Sequence, residues 1–373
     1  RGVNMGKNRF GKKATALVLA GVCGMTMGLT ALPVPFAEAA LGGVLGTVVQ
    51  DALSYKEVEE AIHYYNNTEP GRQALLQSFK KKLKVSENGY LHNRVDNIVS
   101  RLSSSIALSD PSINKKPYIY FVNQEKSFNA FCSMGHVMSV NEGLFTMTDN
   151  EDELAAVIAH EMGHGQKDHM AKSIRKKMVI EMGAGVLSSA MGASTFSNFA
   201  LDLAVNQIDN VVIGKKDEWQ ADNLAFDYLL GAGYNPGATV ALWQRVEDKY
   251  GASKSSFVGE IFSPSDHPTH KQRKENYMKR VSALGNNRVT AAGGTVKVNG
   301  KSFVTPVRAE DMSGAERSYF VQGNLAAAYH NGHSAQSAYV SGNTVMLGAQ
   351  PIMTCYAGDT SAYELAERLN AIK

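Results

Sequence analysis

The chain has 373 residues, with 38 Lys and Arg against 35 Asp and Glu and a formal net charge of +3. Five of the basic residues but only one acidic residue lie within residues 1–39, which leaves 33 basic and 34 acidic side chains in the rest. The basic character therefore belongs to the N-terminal segment, and the charge gives no support for nucleic-acid binding. The 334 residues after it exceed one comfortable hydrophobic core and predict two domains.

Residues 1–39 have the three-part order of a secretory signal peptide. Basic residues come first, an uncharged apolar run from Ala14 to Leu32 follows, and Ala37-Glu38-Ala39 closes the segment. We expect cleavage before Ala40 and a periplasmic or secreted protein. The apolar run is nearly long enough to span a bilayer. An uncleaved N-terminal segment that anchors the protein in the inner membrane is therefore the alternative, and it is the one route of membrane association that we expect.

The residues that follow predict helices and then two strands. Apolar side chains recur at helical spacing from Val58 to Leu102. Tyr118–Val122 is a run of aromatic and β-branched residues and predicts a buried strand. Met134–Val140 alternates in the manner of a strand, with His136 and Met138 on the same face. An ordinary core strand would show the same alternation.

The sequence His160-Glu161-Met162-Gly163-His164 is the most informative motif of the chain. An acidic, capped first turn and apolar residues at helical spacing predict a helix from about Asn150 to past His164. On a helix, residues four apart share a face, so the two imidazoles can bind one metal ion. Glu161 lies beside them and can reach a water molecule instead of the metal.

A catalytic zinc site needs a third protein ligand, and Glu218 is the best candidate. It begins a predicted helix that runs to Leu230 and ends before Gly231. Asp222 lies four residues on, where it can accept a hydrogen bond from the far ring nitrogen of a histidine ligand. The preceding segment, Met178 to Val205, is rich in Ala and Gly but contains charged residues, so it predicts a packed helical hairpin instead of a membrane span.

Together these motifs resemble the zinc metallopeptidase family that includes the CAAX prenyl endopeptidases, the membrane heat-shock protease HtpX and their soluble periplasmic relatives. The likeness covers roughly Tyr55 to Leu284. The segments that carry it, in chain order, are Asn129-Ala130-Phe131, Gly135–Leu144, His160-Glu161-x-x-His164, Glu218-x-x-Ala221-Asp222, Gly231–Pro236, and His267-Pro268 with Arg273.

The resemblance implies a substrate-binding strand. In zinc peptidases of this general kind, a strand at the edge of the sheet receives an extended peptide by β-augmentation, whatever the peptide's sequence. The candidate substrate-binding positions are Gly135, His136, Val137 and Met138. The expected partners are accordingly polypeptides in extended conformation.

The late H-P-x-x-x-x-R signature suggests a further basic group near the metal. His267 is the first candidate to stabilise the oxyanion that forms when water attacks a peptide carbonyl, and Arg273 is the second. His267 has an alternative role, in which its ring occupies the open metal position of a latent enzyme. A loop histidine and a helix-anchoring arginine are the structural alternatives. His169 falls on a different helix face from His164 and is expected to be exposed.

The region after Leu284 predicts a small α+β domain joined by a polar, glycine-bearing linker. Asn299-Gly300 indicates a hairpin turn, and Ala338 to Thr354 predicts two further strands. Ser313 and Ser361 each precede a predicted helix. This domain either docks a protein partner or serves as a lid or stabilising appendage, and we expect it to fold separately.

The sequence therefore predicts an α+β protein with a mainly helical, zincin-like catalytic domain, a small edge-exposed sheet and a small C-terminal α+β domain. Its predicted regions are a signal peptide (1–39), a zinc metallopeptidase domain (40–284) and a domain of unknown role (285–373). One zinc per chain is expected, on His160, His164 and Glu218. Cys132 and Cys355 remain after signal removal and either pair or stay free.

The resemblance implies an endopeptidase of envelope protein quality control. A dedicated processing protease with one substrate is one alternative. A zinc-stabilised chaperone or binding protein with a latent active site is the other.

Overall fold

The structure, a computed structural model, describes residues 53–188, 191–206, 211, 213–251 and 268–373. The predicted signal peptide, residues 1–39, lies outside these ranges, and so does His267. Within the described ranges, no helix combines the length and the apolar character needed to cross a bilayer.

Helices make up most of the described chain, which confirms the predicted fold class. They are α1 (residues 53–67), α2 (Glu69–Leu83), α3 (Gly89–Ser109), α4 (Glu142–Met147), α5 (Glu151–Gln166), α6 (His169–Gly183), α7 (Ala193–Val205), α8 (Lys215–Gly231), α9 (Ala238–Tyr250), α10 (His270–Leu284), α11 (Gly314–His330) and α12 (Ala362–Ile372). The predicted hairpin over Met178–Val205 corresponds to the end of α6 and to α7.

A three-stranded sheet lies before the helix that carries the H-E-x-x-H motif. Its strands are β1 (Ile119–Asn123), β2 (Ala130–Cys132) and β3 (Val137–Asn141), in the order β1-β3-β2. Strand β3 pairs in parallel with β1 and antiparallel with β2. It is therefore the central strand and is buried along its whole length. The prediction that this strand forms the sheet edge is wrong, because β2 pairs with it on the other side.

The sheet separates two hydrophobic clusters, because successive side chains of a strand point to opposite faces. Val137 belongs to the cluster built on α1, α2, α6 and α7. Met138 and Val140 belong to the larger cluster, which contains α3, α5, α8, α9 and α10. Helix α5 packs most extensively against α8.

Helix α5 begins where the sequence predicts. The side chain of Asn150 accepts a hydrogen bond from the backbone N–H of Glu153 and caps the helix. Near its other end, Gly163 lets α8 approach closely, since a Cβ at this position would lie 3.1 Å from the Cα of Ala221. The two helices that carry the candidate ligands are thereby in direct backbone contact.

The C-terminal region contains two small antiparallel sheets of three strands each. The first comprises β4 (Val289–Ala292), β5 (Thr295–Val298) and β6 (Lys301–Val304), and the second comprises β7 (Ala338–Ser341), β8 (Thr344–Leu347) and β9 (Gln350–Thr354). The predicted Asn299-Gly300 turn joins β5 to β6, and Ser313 and Ser361 cap α11 and α12. Strand β4 was not expected from the sequence, and the second sheet has three strands where the sequence indicates two.

These two sheets with their helices form a tandem repeat. A hydrogen bond joins the hydroxyls of Thr295 and Thr305 at 2.8 Å, and the equivalent bond joins Thr344 and Thr354 at 2.9 Å. The bulge that follows Val296 in the first sheet recurs at the equivalent position of the second. Helix α11 packs on β4, β5 and β9, whereas α12 packs on β7, β8 and β6. Each helix thus covers two strands of its own unit and one of the other.

The repeat shares its hydrophobic core with the helices before it. Leu325 of α11 and Val345 of β8 belong to the same cluster as Ile158 of α5 and Leu242 of α9. Helix α11 packs against both α9 and α10. The domain boundary after Leu284 stays a prediction. The residues before and after it pack in one hydrophobic cluster.

Candidate metal centre

Three side chains converge at the contact of α5 with α8. His160 Nε2 lies 3.0 Å from His164 Nε2, and these two atoms lie 3.5 and 3.4 Å from the carboxylate oxygens of Glu218. All three side chains are buried. In a tetrahedral zinc site with bonds near 2.0–2.1 Å, two ligand atoms are about 3.3 Å apart. The donor set and its spacing therefore fit three corners of such a site.

His160 is held from behind by a carboxylate. Its Nδ1 lies 3.0 Å from Asp222 Oδ1, so Nε2 is turned toward the other two donors. Asp222 also accepts hydrogen bonds from the hydroxyl of Tyr277 at 2.8 Å and from Nε of Arg273 at 2.8 Å. The structure thus brings the predicted supporting residue Asp222 to one of the predicted ligands.

Arg273 lies beside the site, on α10. Its guanidinium is buried and hydrogen bonded to Asp222. It also lies over the ring of Trp243, with 4.6 Å between the guanidinium carbon and the ring centroid. Its Nη1 lies 3.9 Å from Glu218 Oε2. The role of this residue in stabilising an oxyanion stays a prediction, as does the role of His267.

The two histidines have opposite pKa shifts. Burial and the nearby Arg273 disfavour the charged form of His160, but its hydrogen bonds to Asp222 and Glu218 outweigh them and raise its pKa to about 9. Burial lowers the pKa of His164 to about 3. Near neutral pH the metal-free pair therefore carries one proton more than two neutral imidazoles, and this extra proton is on His160. A metal ion needs a lone pair on each Nε2 and must displace this proton.

Glu161 lies next to the three donors without being one of them. One carboxylate oxygen accepts a hydrogen bond of 3.0 Å from the backbone N–H of Cys132 in β2. Burial, together with the charge of Glu218, raises the pKa of Glu161 to about 7. A carboxylate with this pKa can take up and release a proton near neutral pH, as a general base must.

The predicted substrate-binding positions do not lie at the edge of the sheet. Gly135 and His136 form a tight turn before β3, with φ of 69° and 56°. The His136 ring stacks on Tyr118, and its Nε2 lies 3.1 Å from the carbonyl oxygen of Gly165 at the end of α5. Val137 and Met138 begin the central strand. The prediction that these residues lie at the edge of the sheet is wrong, because β3 is paired with a strand on both sides.

His169 is a buried neighbour of the site that the sequence analysis missed. Its side chain has no solvent exposure, and its Nδ1 lies 2.9 Å from His164 Nδ1. The expectation that it is exposed is wrong, because α5 ends at Gln166 and Asp168 adopts a left-handed conformation, with φ of 50°. The signal for this break was Gly165 with Asp168 three residues later, because Asp tolerates such a conformation.

The cysteines are both free among the described residues. Cys132 is buried beside Glu161, and Cys355 is partly buried in the loop after β9. Burial raises the pKa of the Cys132 thiol.

A family model described as Peptidase family M48 matches residues 89–281, which include all three candidate ligands. A putative beta-barrel assembly-enhancing protease of Vibrio cholerae is 27% identical over 48% of this chain and 37% of its own length. The metalloprotease LoiP of Escherichia coli is 29% identical over 47% of this chain and 67% of its own length. The mitochondrial metalloendopeptidase OMA1 of Saccharomyces cerevisiae is 25% identical over 50% of this chain and 54% of its own length. The chain thus spans between 37% and 67% of the length of these relatives.

Proposed function

The chain belongs to peptidase family M48 and is a metalloendopeptidase. We propose that it uses one zinc ion to hydrolyse exported polypeptides in extended conformation. The observation that carries the proposal is the meeting of His160, His164 and Glu218 at 3.0–3.5 Å, with Glu161 beside them. This arrangement provides three ligands of a catalytic zinc site and a general base that is not a ligand.

In the proposed reaction, His160, His164 and Glu218 would hold the zinc, which would supply Lewis-acid activation of the scissile carbonyl and of the attacking water. Glu161 takes the proton of the attacking water and delivers it to the leaving amine. Asp222 keeps the proton of His160 on Nδ1, so that Nε2 stays available as a ligand. Arg273 compensates the buried charge of Asp222.

We place the substrate on β2 instead of β3. Asn129 O and Ser133 N are hydrogen bonded to β3. Because the backbone groups of successive residues in a strand point to alternate sides, those of Ala130 and Cys132 point away from β3. In the described part of the chain, β2 has a strand partner on one side. Its Cys132 N–H already reaches Glu161. An extended peptide added along this side would therefore lie next to the general base.

The physiological role that we propose is quality control of envelope proteins, in the periplasm or outside the cell. The relative in Vibrio cholerae and one in Escherichia coli carry the name beta-barrel assembly-enhancing protease, which supports a role in the envelope. A protein anchored in the inner membrane by an uncleaved N-terminal segment is the alternative for location. A processing protease with one substrate is the alternative for specificity, and the C-terminal repeat is the candidate docking region for a partner.

Digestion of casein by the purified protein tests this function. We expect cleavage at many positions, full loss of cleavage after removal of metal by a chelator, and recovery when one equivalent of zinc is returned. Elemental analysis should give one zinc per chain. Cleavage of one exported protein but not of casein would favour the processing protease. A zinc-loaded protein that binds unfolded chains without cutting them would favour the chaperone and contradict the proposal.

A further inference from the structure

His169 contacts a metal ligand and connects it to the opposite helix. It is the first residue of α6 and is fully buried. Its Nδ1 lies 2.9 Å from His164 Nδ1, and its Nε2 lies 3.0 Å from Gln220 Oε1 and 3.6 Å from Asp217 Oδ1. Gln220 and Asp217 flank Glu218 on α8. The ring thus lies between one candidate ligand and the helix segment that supplies another.

The positions of the protons in this chain follow from the donors and acceptors. His164 faces the other ligands with Nε2, so a metal ion requires the lone pair of this atom and the proton of the ring stays on Nδ1. The Nδ1 of His169 must then accept that proton's hydrogen bond. The proton of His169 is accordingly on Nε2, where the amide oxygen of Gln220 accepts it. Each neutral ring then donates one hydrogen bond and provides one lone pair. With a metal ion on His164 Nε2, no other arrangement of protons satisfies His164, His169 and Gln220 together.

The two histidine ligands are therefore supported in different ways. His160 donates to the charged Asp222, whereas His164 donates to a neutral imidazole that is itself fixed by Gln220. We propose that His169 is a positioning residue of the metal site, which fixes the tautomer and the ring orientation of His164 through a relay to Gln220. This inference rests on the metal site of the proposed function. The relay also makes the position of His164 depend on the same turn of α8 that carries Glu218.

Zinc affinity measured by competition with a chelator of known affinity tests the relay without any activity assay. His169→Phe keeps an aromatic ring of similar size but has no nitrogen, so we expect about 10- to 100-fold weaker zinc binding, the usual loss when such a partner is removed. Met178→Ala is the matched control. Met178 is buried on the same helix and packs among apolar residues, so its loss should lower stability but leave the zinc affinity within about twofold of the parent.

Gln220 gives a second test, in which two variants separate hydrogen bonding from packing. Gln220→Glu keeps an oxygen that accepts from His169, and we expect zinc affinity equal to that of the parent or tighter. Gln220→Leu removes the acceptor, and we expect a loss similar to that of His169→Phe. The visible absorption bands of the cobalt-loaded protein should change in Gln220→Leu and His169→Phe but not in Met178→Ala.

The outcomes separate this inference from the proposed function. Parent affinity within about twofold in both His169→Phe and Gln220→Leu would overturn the relay while leaving the metalloprotease intact. A parent protein that binds no metal would overturn both. If His169→Phe fails to fold, the two Gln220 variants decide, because Gln220 is exposed and its replacement leaves the core unchanged.

Discussion

At the residue scale, the two histidines of the proposed metal site share a helix face but have opposite electrostatic surroundings. Hydrogen bonds to Asp222 and Glu218 raise the pKa of His160 to about 9 against the effect of burial, whereas burial lowers the pKa of His164 to about 3. The metal-free site therefore carries one proton more than two neutral rings, and binding of the proposed zinc should release this proton near neutral pH. This arrangement lets the buried carboxylates stay compensated whether or not the metal is bound.

The role of Glu161 separates it from the three ligands. Its carboxylate is bound to the backbone of β2 and not to the other donors, so Glu161→Gln should keep both the fold and the zinc. Turnover should fall at least about a hundredfold, the usual scale for loss of a general base. Zinc content and the rate of casein cleavage are the measurements.

Glu151→Gln is the control for this variant. Glu151 is an exposed residue in the first turn of the same helix, and its replacement should leave both readings unchanged. A Glu161→Gln protein that cuts casein within a few-fold of the parent rate would show that another group acts as the base.

At the element scale, a buried ionic cluster joins the start of α5 to α9 and α11. Arg245 Nε lies 2.9 Å from Glu153 and 2.8 Å from Glu316, and its Nη1 lies 2.8 Å from Asp311. Three carboxylates thus surround one guanidinium. Burial raises the pKa of Glu153 to about 7, although Arg245 and Thr148 act in the opposite direction.

This pKa predicts a loss of stability as the pH rises. The unfolded pKa is near 4.5, so between pH 4.5 and 7 the folded protein binds more protons at Glu153 than the unfolded chain does. The free energy of unfolding should therefore fall over this range, by about 3 kcal/mol. Glu153→Gln cannot titrate and should flatten the dependence, as measured by denaturant unfolding at several pH values. The exposed Glu151→Gln should retain it, and an unchanged slope in Glu153→Gln would assign the effect to another group.

The contact between α9 and α11 depends on a glycine. A Cβ at Gly323 would lie 2.0 Å from Asn235 Oδ1 and 2.4 Å from the backbone nitrogen of Gly237. Gly323→Ala must displace backbone, so we expect a loss of about 1–3 kcal/mol in the free energy of unfolding. Gly183→Ala at the end of α6 has open space and should be neutral or slightly stabilising. Equal stability of the two variants would contradict the close packing of α9 against α11.

The sequence predicts elements well where local chemistry determines them. The helix predicted from Asn150 to past His164 is observed as Glu151–Gln166, because its cap and its apolar spacing are local signals. Among the predicted zinc ligands, His160 and His164 lie close together because they are one helical turn apart on the same helix. The meeting with Glu218, by contrast, could be inferred only from the chemistry of zinc.

Other features depend on tertiary structure and could not be predicted. Alternation in Val137–Asn141 indicates a strand but not its place in the sheet, since a central and an edge strand can share the same pattern. His169 approaches His164 only because the chain turns at Asp168. The tandem repeat was missed because its two copies share mainly the spacing of apolar and turn residues, which becomes evident from matched hydrogen bonds.

At the scale of the whole molecule, the C-terminal repeat completes the core of the preceding helices. Besides the ionic cluster at Arg245, Asn235 donates hydrogen bonds to Phe320 O and to Asn324 at 3.0 and 2.9 Å. Helix α11 is buried on nearly all sides, between α9 and α10 and the small sheets. The sequence predicts two regions that fold separately, whereas in the structure one continuous hydrophobic cluster includes both of them.

A chain truncated after Leu284 should therefore fail to fold. It would expose the apolar face that α9 and α10 turn toward α11, and it would leave Arg245 with one of its three carboxylates. We expect an insoluble protein, or a soluble one that lacks a cooperative unfolding transition and binds no zinc. The matched control is the full chain with a protease site inserted between Asn286 and Asn287, which are exposed. After cutting, the two pieces should stay together and retain zinc and casein cleavage, because the packing and not the linker joins them. A truncated protein that folds and cuts casein at the parent rate would show instead that the repeat is an independent appendage.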